Sequence, residues 1–221
     1  MPLVIAMDGP SGSGKSSASK GVARALGLRY LDTGAMYRAM TWWMLREGVP
    51  VDDPAAVAAR AAEPVIESGT DPDGPAITVD GADVSAPIRT REVTNAVSAV
   101  SSVPAVRERL VALQREIIGA GGIVVEGRDI GTVVAPDAAV KVYLTASEEV
   151  RAARRAKELA ADPAASVTVT RAEQARRDRL DSTRTASPLA KAGGAVEIDS
   201  SGLGLDEVIE AVLRLARAMS D

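Results

Sequence analysis

Apolar residues along this chain fall into two kinds of run: short unbroken blocks, and longer stretches in which apolar positions recur every three or four residues. Their alternation is the pattern of parallel strands joined by helical crossovers. Five core strands are predicted at Leu3 to Met7, Leu28 to Leu31, Ile123 to Glu126, Val140 to Leu144 and Val196 to Ile198. Helices are predicted at Lys15 to Leu26, Ala35 to Arg46, Thr90 to Val103, Pro104 to Ile118, Glu148 to Ala160, Arg171 to Leu180 and Asp206 to Ala218. Several ends carry local signals: Pro104 suits a first helical turn, Gly119 and Gly121 suit a carboxyl-terminal stop, and Ser147 precedes the acidic pair Glu148 and Glu149 as an amino-terminal cap should.

The stretch from Asp52 to Pro87 breaks the alternation. It is rich in Pro, Gly and Asp, and holds Ala76-Ile77-Thr78-Val79 followed by Asp80-Gly81, which predicts a small antiparallel hairpin inserted into the core. The Ala-rich run from Pro54 to Ala62 reads as helix, and Ala161 to Thr170 as a second, mobile excursion. No internal repeat is visible, and 221 residues suit one domain with its inserts.

Composition narrows the chemistry. The chain has no Cys and no His, which removes thiol nucleophiles, His-based triads and the common zinc sites. A net charge of -4 and five scattered aromatics argue against a nucleic-acid-binding face or a base-stacking platform. No segment has the unbroken apolar length of a membrane span, and the amino terminus lacks a basic flank, so a cytoplasmic location is expected. Among 26 basic residues only five are Lys (15, 20, 141, 157, 191). That bias fits either genomic base composition or recognition of oxyanions, which guanidinium groups bind in forks.

After the first predicted strand comes Gly9-Pro10-Ser11-Gly12-Ser13-Gly14-Lys15-Ser16-Ser17, which satisfies GxxxxGK[ST] and runs into a helix. Glycines let such a loop wrap closely so that successive amides point at phosphate oxygens, and the helix start adds its positive end. Lys15 is placed to reach the β- and γ-phosphates and the Ser16 hydroxyl to ligate Mg²⁺. A nucleoside triphosphate site is therefore expected.

Switches, motors and kinases all carry such a loop. The chain has no Asn-Lys-x-Asp base-reading motif of a regulatory GTPase, and Ile123-Val124-Val125-Glu126 is a weak match to the acidic strand end of a mechanical ATPase. Arginines 151, 154, 155, 171, 176, 177, 179 and 184 are crowded far above the chain's average. A solvated helix face paired with Glu158, Glu173, Asp178 and Asp181 accounts for part of this. A clamp over transferring phosphates accounts for the cluster better.

Beyond the loop, the segments MDGPSGSGKSS, LDTGAMYR, DVSAPIRTREVTNAVSAVSSVPAVRE, EGRDIGTVVAPDA, VKVYLTAS and RDRLDSTRTASPL resemble, in order and spacing, those of the bacterial cytidylate kinases in the nucleoside monophosphate kinase family. The resemblance covers nearly the whole chain. It implies an α/β P-loop kinase fold with a five-stranded parallel sheet in the order 2-3-1-4-5, a monophosphate-binding insert at about residues 34–100 and a short lid at about residues 151–176. It implies ATP and CMP or dCMP as substrates, Mg²⁺ as cofactor and a monomer. It also implies roles for single residues: Thr33, where the family usually has Ser, then Tyr37 and Arg38, with Arg38 on the acceptor phosphate; Ser98, Arg107 and Asp129 reading cytosine; Arg128 and Arg184 on the acceptor phosphate; Arg177 and Asp181 near the ribose; and Arg151 and Arg155 approaching the donor phosphates. With Lys15, the arginines 128, 151, 155 and 184 would carry the transfer. A sibling kinase acting on UMP, AMP or shikimate, a nucleotide switch and a nucleic-acid-dependent ATPase share the loop and remain as alternatives.

Overall fold

The first strand, β1 (Val4–Asp8), is the middle of a five-stranded parallel sheet, with β2 (Arg29–Asp32), β6 (Ile123–Gly127), β7 (Val140–Thr145) and β8 (Val196–Asp199) around it in the order β2-β6-β1-β7-β8. Counting only these core strands along the chain, that order is the expected 2-3-1-4-5. Between β2 and β6 lie three short strands, β3 (Ile66–Ser68), β4 (Ile77–Val79) and β5 (Ala82–Asp83), which form a separate antiparallel sheet. The helices are α1 (Lys15–Leu26), α2 (Thr33–Arg46), α3 (Pro54–Arg60), α4 (Arg91–Ser102), α5 (Pro104–Ile118), α6 (Glu148–Glu158), α7 (Val167–Thr183) and α8 (Leu205–Ala218). This computed structural model describes residues 2–158 and 167–219.

Side chains alternate across a strand, so a buried parallel sheet builds two cores at once. Ile5 and Met7 of β1 join Val124, Val142 and Leu144 on the face covered by Ala18 and Val22 of α1 and Val208 and Val212 of α8. Ala6, Leu31, Ile123 and Val125 point to the other face, where Met36 and Met40 of α2, Val97 of α4 and Leu110 of α5 close over them.

Local chemistry sets several boundaries. Helix α2 starts at Thr33, two residues before the predicted Ala35, because the Asp32 carboxylate caps it by accepting the Ala35 amide at 2.9 Å. Helix α7 starts at Val167 rather than Arg171, so the end of the predicted excursion is helical; its β-branched residues are poor helix formers, but Thr170 is buried. The remainder of that excursion, and the predicted end of α6 at Ala160, lie outside the described residues. The hairpin turns at Asp80-Gly81 with φ of 51° and 78°, the two positive values that a two-residue loop between Val79 and Ala82 requires. Strand β3, which completes this small sheet, was not predicted: three residues carry no readable period. The Asp80 carboxylate accepts from the Trp43 indole at 3.0 Å, pinning the hairpin to α2.

The loops that follow β1, β2 and β6 all emerge at the carboxyl edge of the sheet, where open parallel sheets bind ligands. Close approach of backbone fixes the first of them. Gly9 has φ +148°, and a Cβ on it would lie 2.0 Å from the Leu144 carbonyl oxygen of β7. Gly9→Ala is expected to destabilise the fold by about 2–3 kcal/mol, as overpacking against rigid backbone does; urea unfolding checks this, and an unchanged midpoint contradicts it.

Candidate active site

Residues 9–17 wrap from β1 into α1, with Gly12 and Gly14 at positive φ (77° and 91°) as the tight curve demands. The loop opens on a recess of about 1050 Å³ lined by Ser11, Gly12, Gly14, Lys15, Ser16 and Ser17 and, from other elements, by Glu126, Arg155 and Arg177. Lys15 is buried, and its Nζ donates to the Pro10 carbonyl at 2.7 Å and lies 3.4 Å from the Ser13 hydroxyl. Burial first, and then the charge of Arg128, drives the Lys15 ammonium well below its ordinary pKa.

Below the helix start, the Ser16 hydroxyl donates to Glu126 Oε2 at 3.0 Å, and the Tyr30 phenol donates to Glu126 Oε1. Burial and the neighbouring Asp32 charge push the Glu126 carboxyl upward. Ser16, Glu126 and Asp32 thus offer only oxygen donors, the set a hard divalent cation takes. Among the described residues there is no cluster of three acidic side chains able to enclose an ion, so a cation here would also need water or phosphate oxygens.

The loop is tied to the elements above it. Asp178 Oδ1 accepts the Ser11 amide at 3.1 Å while Oδ2 pairs with Arg151, whose guanidinium also donates to the Ser11 carbonyl at 2.9 Å. The Ser200 hydroxyl donates to the Ser13 carbonyl at 3.1 Å. On the outer side of the loop a third recess, about 920 Å³, is walled by Leu144, Leu205 and Val208 with Arg154 and Lys157 at its rim.

The second recess, about 480 Å³, adjoins the cradle and shares Gly34, Arg38, Gly127, Arg128 and Arg177 with it. Thr33, Tyr37 and Arg38 reach it from α2, Ser98 from α4, Arg107 from α5, Arg128 and Asp129 from the end of β6, and Arg177, Asp181 and Arg184 from α7 and its end. All ten residues singled out by resemblance as acceptor contacts therefore line one cavity, although 151 positions separate the first from the last. Asp129 is buried against Arg107, with Arg184 Nη2 at 3.7 Å from its other oxygen. Arg107 also stacks over the Tyr37 ring, 5.1 Å to the centroid. Arg128 Nε donates to Asp181 at 3.1 Å.

Positive charge is left over. Arg38 spends hydrogen bonds on neutral oxygens, the Ile88 carbonyl at 3.2 Å and the Thr94 hydroxyl at 2.8 Å. Burial, with Arg177 and Arg155 nearby, pulls its guanidinium down to about 9. Burial and Arg128 pull Arg177 down to about 10, and its Nε is buried without a hydrogen-bond partner among the described residues. Guanidinium groups stay protonated at neutral pH, so these shifts register cations that are buried, crowded by one another and only partly offset by Asp32, Asp178 and Asp181, an environment that an oxyanion relieves.

Two residues sit differently from the sequence expectation. Arg151 does not face the cradle; its guanidinium is buried between Ser11 and Asp178, whereas Arg155 does line the cradle. The Thr33 hydroxyl is turned onto the Glu126 carbonyl at 2.7 Å. Arg89, Arg154, Asp178 and the Tyr30–Glu126 pair were not singled out as site residues. Arg154 had a signal as one of the crowded arginines, Asp178 as a charge partner of that cluster and Glu126 as a weak acidic strand end; Arg89 and Tyr30 reach the site through folding alone.

A phosphate loop on a parallel sheet in this order, joined to a second recess rich in arginine, defines a P-loop kinase with adjacent places for two anions. Residues 5–218 match the family model described as Cytidylate kinase. A protein named Cytidylate kinase from Streptomyces avermitilis is 60% identical over 215 residues, covering 96% of this chain and 92% of that protein; one of the same name from Mycobacterium avium is 55% identical, covering 99% and 97%. The chain belongs to the cytidylate kinase family, a family of nucleoside monophosphate kinases. Among solved structures, shikimate kinase from Acinetobacter baumannii is similar in fold, with TM-score 0.51 and 14% identity over 99% of this chain and 94% of that one. No helix among the described residues is long and apolar enough to cross a membrane.

The crowded arginines yield a direct expectation. At fixed ionic strength, replacing chloride by sulfate should raise the midpoint of thermal unfolding more in the unmodified protein than in Arg38→Ala, because sulfate stabilises any folded protein and only the excess reports guanidinium groups gathered around an anion. An equal rise in both proteins would count against a built oxyanion site.

Proposed function

We propose that this chain transfers the γ-phosphoryl group of ATP to the 5′-phosphate of CMP or dCMP, giving ADP and CDP or dCDP, in the cytoplasm. The observation that carries this reading is the convergence of ten separate residues on one recess that pairs a surplus of guanidinium with the buried Arg107–Asp129 couple.

The amides of residues 12–16 and Lys15 hold the donor's β- and γ-phosphates at the start of α1. The purine takes the recess walled by Leu144, Leu205 and Val208. Arg38, Arg128 and Arg184 hold the acceptor phosphate, and Arg177 and Asp181 stand beside its ribose. Asp129 accepts from the 4-amino group of cytosine, while Arg107 donates to the N3 and O2 edge; uracil presents a carbonyl to Asp129 and is disfavoured. Residues 34–100 serve as the acceptor-binding insert and about 151–176 as the lid, closing so that water does not compete as acceptor.

No protein base is required, because the attacking oxygen already belongs to a phosphate anion. The task is to hold two polyanions in line and screen them. Arg155 and Arg177 line the space where the transferring group passes, and Lys15 follows it from the donor side. Arg151 contributes by fixing Ser11 and Asp178. The oxygen donors of Ser16 and Glu126 fit Mg²⁺, which when bound neutralises charge on the β- and γ-phosphates.

Lys15→Ala is expected to lower kcat at least about 100-fold, the scale on which one preorganised charge acts, while circular dichroism stays unchanged. Activity near that of the unmodified protein contradicts the role given to Lys15. Asp129→Asn is expected to reduce the preference for CMP over UMP in kcat/KM by about 10-fold or more. An unchanged ratio contradicts base reading at that position.

A further inference from the structure

Asp8 ends β1, the strand that feeds the phosphate loop, but its carboxylate is engaged elsewhere. Oδ1 accepts the Ile130 amide and Oδ2 the Gly131 amide, each at 2.8 Å. These amides open the short helical turn Ile130–Val134, which begins immediately after Arg128 and Asp129. Asp8 is only 3% exposed and lines none of the three recesses, so it is not placed to touch either nucleotide.

The first amides of a helical turn have no carbonyl partner within it, and left unpaired in a buried position each is costly. A side chain from another strand supplies what the turn lacks. A carboxylate is suited to this because both of its oxygens accept, so that one group can hold two successive amides. Withdrawing that charge from water has a cost: burial pushes the Asp8 carboxyl upward, and the two amides counteract it. The seat is also tight. A Cβ added at Gly131 would lie 3.0 Å from the Ala192 Cβ and 3.4 Å from Asp8 Oδ2, so the backbone approaches its neighbours more closely there than a side chain would comfortably permit.

We propose that Asp8 is a positioning residue of the acceptor site: by holding the Ile130 and Gly131 amides it fixes Arg128 and Asp129 in register with the strand that carries the phosphate loop. This rests on the reading of Arg128 and Asp129 as acceptor contacts. The donor loop's backbone is held by other contacts, Ser11 by Arg151 and Asp178 and Ser13 by Ser200, and the Asp8 charge supports the Lys15 ammonium only as a lesser influence behind burial, Arg128 and Glu126. Asparagine keeps the shape of aspartate but turns one acceptor into an NH₂ that faces an amide N–H. The substitution should therefore displace the turn and weaken the acceptor while sparing the donor.

Calorimetric titration of CMP alone and of ADP alone into Asp8→Asn, Asp129→Asn and the unmodified protein tests this. Asp8→Asn is expected to weaken CMP about 10-fold or more and to leave ADP within about 2-fold. CMP affinity unchanged in Asp8→Asn, or CMP and ADP weakened alike, overturns the proposal. Loss in Asp129→Asn without loss in Asp8→Asn overturns the positioning role and leaves the acceptor site standing, whereas no loss in either variant overturns both. If Asp8→Asn does not fold, amide hydrogen exchange on the unmodified protein makes the same distinction. CMP, and not ADP, should slow exchange at Ile130 and Gly131; equal slowing by both, or none by CMP, overturns the proposal.

Discussion

The site is built on an electrostatic imbalance that the protein does not resolve by itself. Lys15, Arg38, Arg128 and Arg177 converge on one connected space, where Asp32 and Asp178 offset them only in part and the other carboxylates are engaged: Asp181 with Arg128, Asp129 with Arg107, and Glu126 with Ser16 and Tyr30. Like charges held together out of water raise the energy of the ligand-free state, and polyanions that enter release it. Because the fixed cations screen the repulsion between two anions, such an imbalance suits a space in which two phosphate chains must approach.

Rigid backbone keeps this arrangement in place. The phosphate loop leaves a central strand of the sheet, and Gly9 passes so close to β7 that the loop's origin is fixed by the sheet. The residues lining the second recess come from four helices and one strand end, and Arg128 and Asp129 at that strand end touch Arg107 of α5, Asp181 of α7 and Arg184 just beyond it. Helix α7 spans both halves: Asp178 meets the donor loop, and Asp181, one turn on, meets the acceptor residue Arg128. A displacement of α7 is thus felt at both recesses.

How much of this could be read in advance depended on whether the signal was local. The glycine-rich loop is eight consecutive residues, 9–16, that satisfy GxxxxGK[ST] between a strand and a helix, and its glycines, lysine and closing serine each have a physical reason, so the motif was legible directly. The parallel sheet was legible because its strands are unbroken apolar blocks. The second recess was not, since Thr33, Ser98, Arg107 and Arg184 are ordinary residues on helix surfaces or ends until the chain folds; only the resemblance of LDTGAMYR, DVSAPIRTREVTNAVSAVSSVPAVRE and RDRLDSTRTASPL brought them together. Strand β3 is too short to show a period, and the early start of α7 runs against the low helix propensity of Val167 and Thr168. The Tyr30–Glu126 and Asp8–Ile130 contacts join strands distant in sequence through single side chains, and no pattern along the chain announces them.

The two recesses share Gly34, Arg38, Gly127, Arg128 and Arg177, and under the proposed function they form one continuous space for two nucleotides that meet at their phosphates. The most direct measurement is displacement by a single molecule in which adenosine and cytidine are linked 5′ to 5′ through a phosphate chain. The account predicts that this molecule binds one per chain, more tightly than ATP or CMP, and displaces both. Displacement of ATP while CMP stays bound would mean that the recesses do not communicate, and would contradict it.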